Sequence, residues 1–124
     1  MKKLFFISFL MIAAHFVQAQ NAQVNAALSA GNSAVLATYF ETTVNITILD
    51  NENTYSKQQA EIVIKDFFAK HLVKSFSAIH EGASPEGSKF AVGKLVTSNG
   101  TFRTFVLIKQ KGTSFVIQEI RFEE

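Results

Sequence analysis

Few side chains in this sequence can do chemistry. Beyond the first nineteen residues there are two histidines, His71 and His80, and neither has a second histidine at a metal-ligand spacing. His80-Glu81 begins like a helical zinc motif, but position 84 is Ser84 and the segment reads as strand. Asp50-Asn51-Glu52-Asn53 offers oxygens to a hard cation, yet it lacks the glycine and the distal glutamate of a calcium loop and reads as a solvated turn. No metal and no cofactor is expected. Gly31-Asn32-Ser33-Ala34-Val35 comes nearest to a nucleophile elbow. It lacks the second glycine and sits between helices, so it reads as a helix cap.

What remains is general acid–base chemistry, with His80 or Glu119 as the base. Arg103, Arg121, His71, Tyr39 and Tyr55 are the groups available to hold or polarise a ligand. The guanidinium of Arg103 or Arg121 suits an anionic group because it presents a fork of donors. Each residue also has a structural reading. His71 falls at the end of a helix, where it caps and complements the helix dipole. Tyr55 sits where a hydrophobic staple belongs. His80 shares strand parity with Phe76 and Ala78 and so points inward, or else it stands at the sheet rim. Glu119 and Arg121 share parity with Phe115 and Ile117. With Arg103 they form either a charged cluster in a pocket or a solvent-facing ion pair.

The elements that must position these groups follow from hydropathy patterning. Residues 20–30 carry Val24, Ala27 and Leu28 on one side of a helix that Gly31 ends. Asn32 or Ser33 caps a short second helix, 34–40, whose apolar set includes Val35, Leu36, Tyr39 and Phe40. Residues 42–49 alternate, with Val44, Ile46 and Ile48 on the buried side, and 50–53 form a polar turn. Ser56-Lys57-Gln58-Gln59 is a capping box that opens a helix ending near Lys70 or His71. Ala60, Val63, Ile64, Phe67, Phe68 and His71 form its apolar stripe. The rest is strand: 74–81; a turn at Ser84-Pro85-Glu86-Gly87; 88–98 with a bend or bulge at Gly93; a hairpin at Asn99-Gly100; 101–109; a turn at Lys111-Gly112-Thr113; and 114–122 at or near the sheet edge. Residues 101–109 are apolar on both faces and should lie centrally in the sheet. This order of helices then hairpins implies an α+β domain: a curved antiparallel sheet packed around three helices from the N-terminal half.

The chain has 124 residues, 48% of them hydrophobic, with 13 phenylalanines and no cysteine. That length means one domain. The absence of cysteine excludes disulfide scaffolds, thiolate zinc sites and lipidation of an N-terminal cysteine. Met1-Lys2-Lys3, the apolar run 4–14 and Val17-Gln18-Ala19 form a secretory signal peptide, 1–19, cut ahead of Gln20. The run is too short to span a bilayer, which takes about 20 residues. The protein is therefore expected to be exported, to the periplasm or beyond, with no membrane span. Removing 1–19 takes away Lys2 and Lys3 and turns a formal charge of +2 into zero. The remaining lysines are scattered among acids, so no nucleic-acid partner is expected.

Helix–Gly31–short helix, the strand Val44 to Leu49, the helix ending in Phe67-Phe68 and the terminal hairpins with Phe115-x-Ile117 together resemble the nuclear-transport-factor-2-like superfamily, a cystatin-like α+β cone. Within it the chain is similar to small exported bacterial domains of unknown function, on Tyr55-Ser56-Lys57, Phe67-Phe68-Ala69-Lys70, His80-Glu81-Gly82 and residues 97–103. The resemblance covers nearly all of 20–124 and includes no catalytic motif. It implies a sheet wrapped around helices with a pocket at the open end. The expected function is a non-catalytic module that binds a small molecule or a protein. The competing class is a small lyase or isomerase with its base in the pocket. The two apolar faces of 101–109 also suit a homodimer.

Overall fold

The computed structural model describes residues 21–124. The expected signal peptide, 1–19, lies outside them. Helix α1, residues 21–30, buries Val24, Ala27 and Leu28. Gly31, at φ +62°, ends it: the Gly31 N–H donates to Leu28 O and the Asn32 N–H to Ala27 O, both at 3.0 Å. Helix α2, Ser33–Ala37, is a single turn, and Asn32 Oδ1 accepts from the Val35 N–H at its start. It is shorter than expected because Phe40 already begins strand β1, Phe40–Ile48.

Strand β2, Asn51–Ser56, occupies what reads in the sequence as a polar turn. The turn itself is only Leu49-Asp50, with Leu49 at φ 55° and its N–H donating to Phe122 O at 2.8 Å. Asn51, Glu52 and Asn53 have poor strand propensity. They are extended because they lie at the sheet edge, exposed, and pair in register with β1. Ser56 then caps α3, Lys57–Lys70, accepting from the Gln59 N–H at 3.3 Å, as the capping box predicts.

Strands β3 (Val73–Ala83), β4 (Ser88–Thr97), β5 (Gly100–Lys111) and β6 (Ser114–Glu123) follow. The sheet order is β2-β1-β6-β5-β4-β3, with β1 parallel to β6 and the other neighbours antiparallel. Strand β6 is thus central rather than near the edge, because β1 pairs along its otherwise free side. No turn signal announces that pairing. The β4–β5 loop is Ser98-Asn99, with Thr97 opposite Gly100, one residue earlier than the Asn99-Gly100 dipeptide suggests. Neither loop residue takes positive φ; Gly100 does, at 146°.

The three helices cover one face of the curved sheet. Phe67 of α3 stacks on Phe122 at 4.2 Å and meets the edge of Phe102 at 5.3 Å. Ile64, Leu95, Val106, Ile108, Ile117 and Ile120 are fully buried around them. At one end, Glu41 of β1 accepts from Gln118 of β6 and pairs with Lys111 of β5 at 2.8 Å. Those contacts, the Lys111 ammonium first, hold its carboxyl below the usual glutamate range.

Gly93 is the tightest point of the sheet. A Cβ there would stand 2.4 Å from Ser77 O and 2.6 Å from the Phe76 ring. Gly93→Ala is expected to lower stability by about 1–3 kcal/mol, since backbone must move to admit one methyl. Urea denaturation of the two proteins side by side measures this, and an unchanged midpoint would contradict the packing described.

Candidate functional site

Two single-residue insertions decide where the candidate residues point. In the β3–β4 pairing, Ala78 faces Gly93 and His80 faces Val92, so Ile79 is an extra residue. In the β5–β6 pairing, Leu107 faces Glu119 and Ile108 faces Ile117, so Gln118 is extra. Each bulge reverses the alternation of side chains along its strand. Phe76 and Ile117 therefore pack toward the helices, while His80, Glu119 and Arg121 stand on the opposite, outer face of the sheet. The parity reading that placed His80 with Phe76, and Glu119 with Ile117, is corrected by these bulges. The expected bulge at Gly93 is real but lies on the strand opposite it.

Register brings these groups into rows across the outer face. One row runs Thr54, Asn45, Glu119, Leu107, Phe90, Gly82. The next runs Glu52, Thr47, Arg121, Phe105, Val92, His80. A shorter third row holds Glu123, Arg103 and Lys94. The face is thus polar over β2, β1 and β6 and largely apolar over β5, β4 and β3.

The apolar half is an aromatic ladder. His80 lies 5.4 Å from Phe90, and Phe90 is stacked 6.4 Å from Phe105. Phe90 is seated over Gly82, where a Cβ would come within 2.6 Å of its ring. Arg121 links the halves: its guanidinium stands 5.6 Å from the Phe105 centroid, and its Nε donates to Glu119 Oε2 at 2.9 Å. That hydrogen bond raises the Arg121 pKa, with smaller contributions from the charges of Glu123 and Glu52. In the polar half, Asn45 Nδ2 reaches Glu52 Oε1 at 3.4 Å and Thr54 Oγ1 at 3.5 Å. Asn45 Oδ1 and Thr47 Oγ1 are buried with no donor.

His80 and Glu119 share this face but stand three strands apart, about 14 Å at the usual strand spacing. They cannot serve one reacting atom as an acid–base pair. Arg103 joins Glu123 and Lys94 rather than His80. Among the described residues, no group of three or more His, Cys, Asp or Glu side chains has the arrangement of a metal site.

The other two candidates lie elsewhere. Tyr39 stacks on Phe115 at 5.0 Å, and its carbonyl accepts from the Ile117 N–H. His71 is the C-cap of α3 and packs on Phe67 and Phe102. Its Nδ1 lies 2.7 Å from Asn99 Oδ1, which requires the proton on Nδ1. Asn99 Nδ2 donates to Lys70 O at 3.2 Å, and the Ser98 N–H to Leu72 O at 2.8 Å. The β4–β5 loop thus clasps the end of α3. His71 also borders a surface groove of ≈ 490 Å³ lined by Ile48, Ile62, Val63, Asp66, Phe67 and Lys70.

Phe90 and Phe105 were not among the candidates. For Phe105 the signal was present in the i, i+2 pair Phe105 and Leu107, since a central strand with apolar residues on both faces must offer one set to something other than the helices.

The chain matches the family described as a domain of unknown function (DUF4783) over residues 21–123. A crystal structure of a DUF4783 family protein from Bacteroides uniformis is 32% identical, with a TM-score of 0.78, over 83% of this chain and 94% of that one. One from Bacteroides ovatus is 32% identical, with a TM-score of 0.79, over 83% and 93%. An NTF2-like protein of unknown function from Cytophaga hutchinsonii shares the fold at 6% identity, with a TM-score of 0.60, over 86% and 87%. No curated protein matches.

If Asn99 is the clasp, Asn99→Ala should cost about 1 kcal/mol by stripping partners from Lys70 O and His71. The ordered His71 ring should also lose its single environment in proton NMR. A variant with the wild-type urea midpoint and an unmoved His71 resonance would show that the clasp contributes nothing.

Proposed function

The chain belongs to the DUF4783 family, and we propose that within it this protein is an exported, non-catalytic binding module whose working surface is the outer face of its sheet. One observation carries the reading. The His80–Phe90–Phe105 ladder forms an apolar strip on the side of the sheet away from the helices, with Lys94 and Arg103 near one end and Glu52, Glu119 and Glu123 around Arg121. Contiguous apolar surface with a charged rim is the composition of a recognition surface. On the helix side, Phe67, Phe68, Phe102 and Phe122 occupy the space behind the central strands. Catalysis is not proposed because His80 and Glu119 are held apart by β4 and β5. Export is supported by residues 1–19 of the sequence.

The partner this surface fits first is a second copy of the chain. A two-fold axis along β4, the middle strand of the ladder, lays the two aromatic strips against each other. Sedimentation equilibrium is expected to show a dimer whose population rises with concentration. Val92→Glu, which plants a charge in the strip while sparing the rings, is expected to give a monomer with unchanged circular dichroism. A wild-type chain that stays monomeric into the millimolar range would exclude the second copy. For export, N-terminal sequencing of protein recovered outside the cytoplasm of a bacterial host should begin at Gln20; retention of the intact chain in the cytoplasm would refute it.

A further inference from the structure

The polar half of the outer face leaves two buried side-chain oxygens unpaired. Asn45 and Glu119 stand in register on β1 and β6, both presenting acceptor oxygens. The Asn45 amide nitrogen is turned toward Glu52 and Thr54 on β2, so its Oδ1 is left without a donor. One position along, Thr47 is 9% exposed, and its Oγ1 is buried without a partner. Its neighbour in register, Arg121, turns its Nε to Glu119 at 2.9 Å and makes no hydrogen bond to Thr47. An unpaired polar oxygen inside a protein costs stability, so two side by side on one face call for a missing partner.

Charge narrows that partner's chemistry. Glu52, Glu119 and Glu123 all lie close enough to act on Arg121, and with Arg103 beside Glu123 the carboxylates still outnumber the guanidiniums. A neutral hydroxyl ligand would supply donors but leave the excess negative charge. A hard divalent ion prefers six or more oxygens, more than Asn45, Thr47 and Glu119 bring together. An ammonium group brings three donors and one positive charge in a compact head. The next residues along the two rows are Leu107 and Phe105, so an alkyl chain attached to that head would lie on apolar surface.

Resting on the outer face as the working surface, we propose that Asn45, Thr47 and Glu119 form a site for the ammonium group of a primary alkylamine. That chemistry is shared by free amines and lysine side chains.

The test is a two-dimensional NMR titration of the wild-type chain and of Val92→Glu with n-butylamine at neutral pH, where it is protonated. Nα-acetyl-lysine methylamide is run in parallel, with n-butanol and calcium chloride as counter-probes. Saturable shifts are expected at Asn45, Thr47 and Glu119 with both amines, in both proteins. Tighter binding of butylamine than of the lysine derivative would identify a free amine as the ligand, and the reverse a lysine side chain. Glu119→Gln and Thr47→Val should each weaken binding at least tenfold, and Thr47→Val should raise the Tm because it removes a buried unpaired hydroxyl. The proposal is overturned by the absence of saturable shifts, by butanol or calcium binding as well as the amines, or by unchanged affinity in both variants. Binding to monomeric Val92→Glu keeps this outcome separate from whether the chain dimerises.

Discussion

A β-strand has two faces and its side chains alternate between them, so a single inserted residue turns everything beyond it over. The outer face of this protein depends on that constraint acting twice. Ile79 is inserted in β3 and Gln118 in β6. Were Ile79 paired as a regular strand residue, His80 would fall in the inward set of Phe76 and would meet the helices. Were Gln118 paired in the same way, Glu119 and Arg121 would fall in the set of Ile117, placing a charged pair in the core. Burying that pair among Ile64, Val106 and Ile120 would cost several kcal/mol of desolvation per ion. The bulges thus keep the core apolar and collect the polar groups on the other side.

The helix side is governed by phenylalanine packing. Phe67 and Phe68 are adjacent on α3, so their rings diverge and touch different neighbours, yet both contact Phe122. Phe102 and His71 close the cluster at the end of the helix. The residues that α3 buries, Ala60, Ile64, Phe67 and Phe68, all belong to its hydrophobic stripe, while Ile62 and Leu72 lie outside that stripe and remain exposed. Gly93 makes room for Phe76 in the same way that Gly82 makes room for Phe90. Two glycines on facing strands seat one ring on each side of the sheet.

Membership of DUF4783 and the shared cone-like α+β fold do not by themselves assign a role, because one fold carries many sites. The distribution of polarity is more informative. Catalytic residues work within hydrogen-bond reach of one reacting atom. Here the titratable groups are spread along rows across the sheet, with apolar residues between His80 and the acids. Spread polar groups around an apolar strip suit recognition over an area.

The sequence by itself determined the helices, their caps and most strands. Those signals are local: the Gly31 stop, the Ser56 cap, the spacing of Ala60, Ile64, Phe67 and Phe68, and the turn at Pro85. It also showed that β5 is apolar on both sides and that His71 belongs to a helix end. Tertiary structure decided the rest. β2 is a strand because β1 offers it a ladder, although Asn51 to Asn53 would prefer a turn. β6 is central because it comes back to pair in parallel with β1, 74 residues earlier in the chain at Asn45 opposite Glu119. The side on which His80, Glu119 and Arg121 stand was settled by two bulges, and a bulge is a property of a pair of strands in register. A periodicity read along one strand cannot contain it.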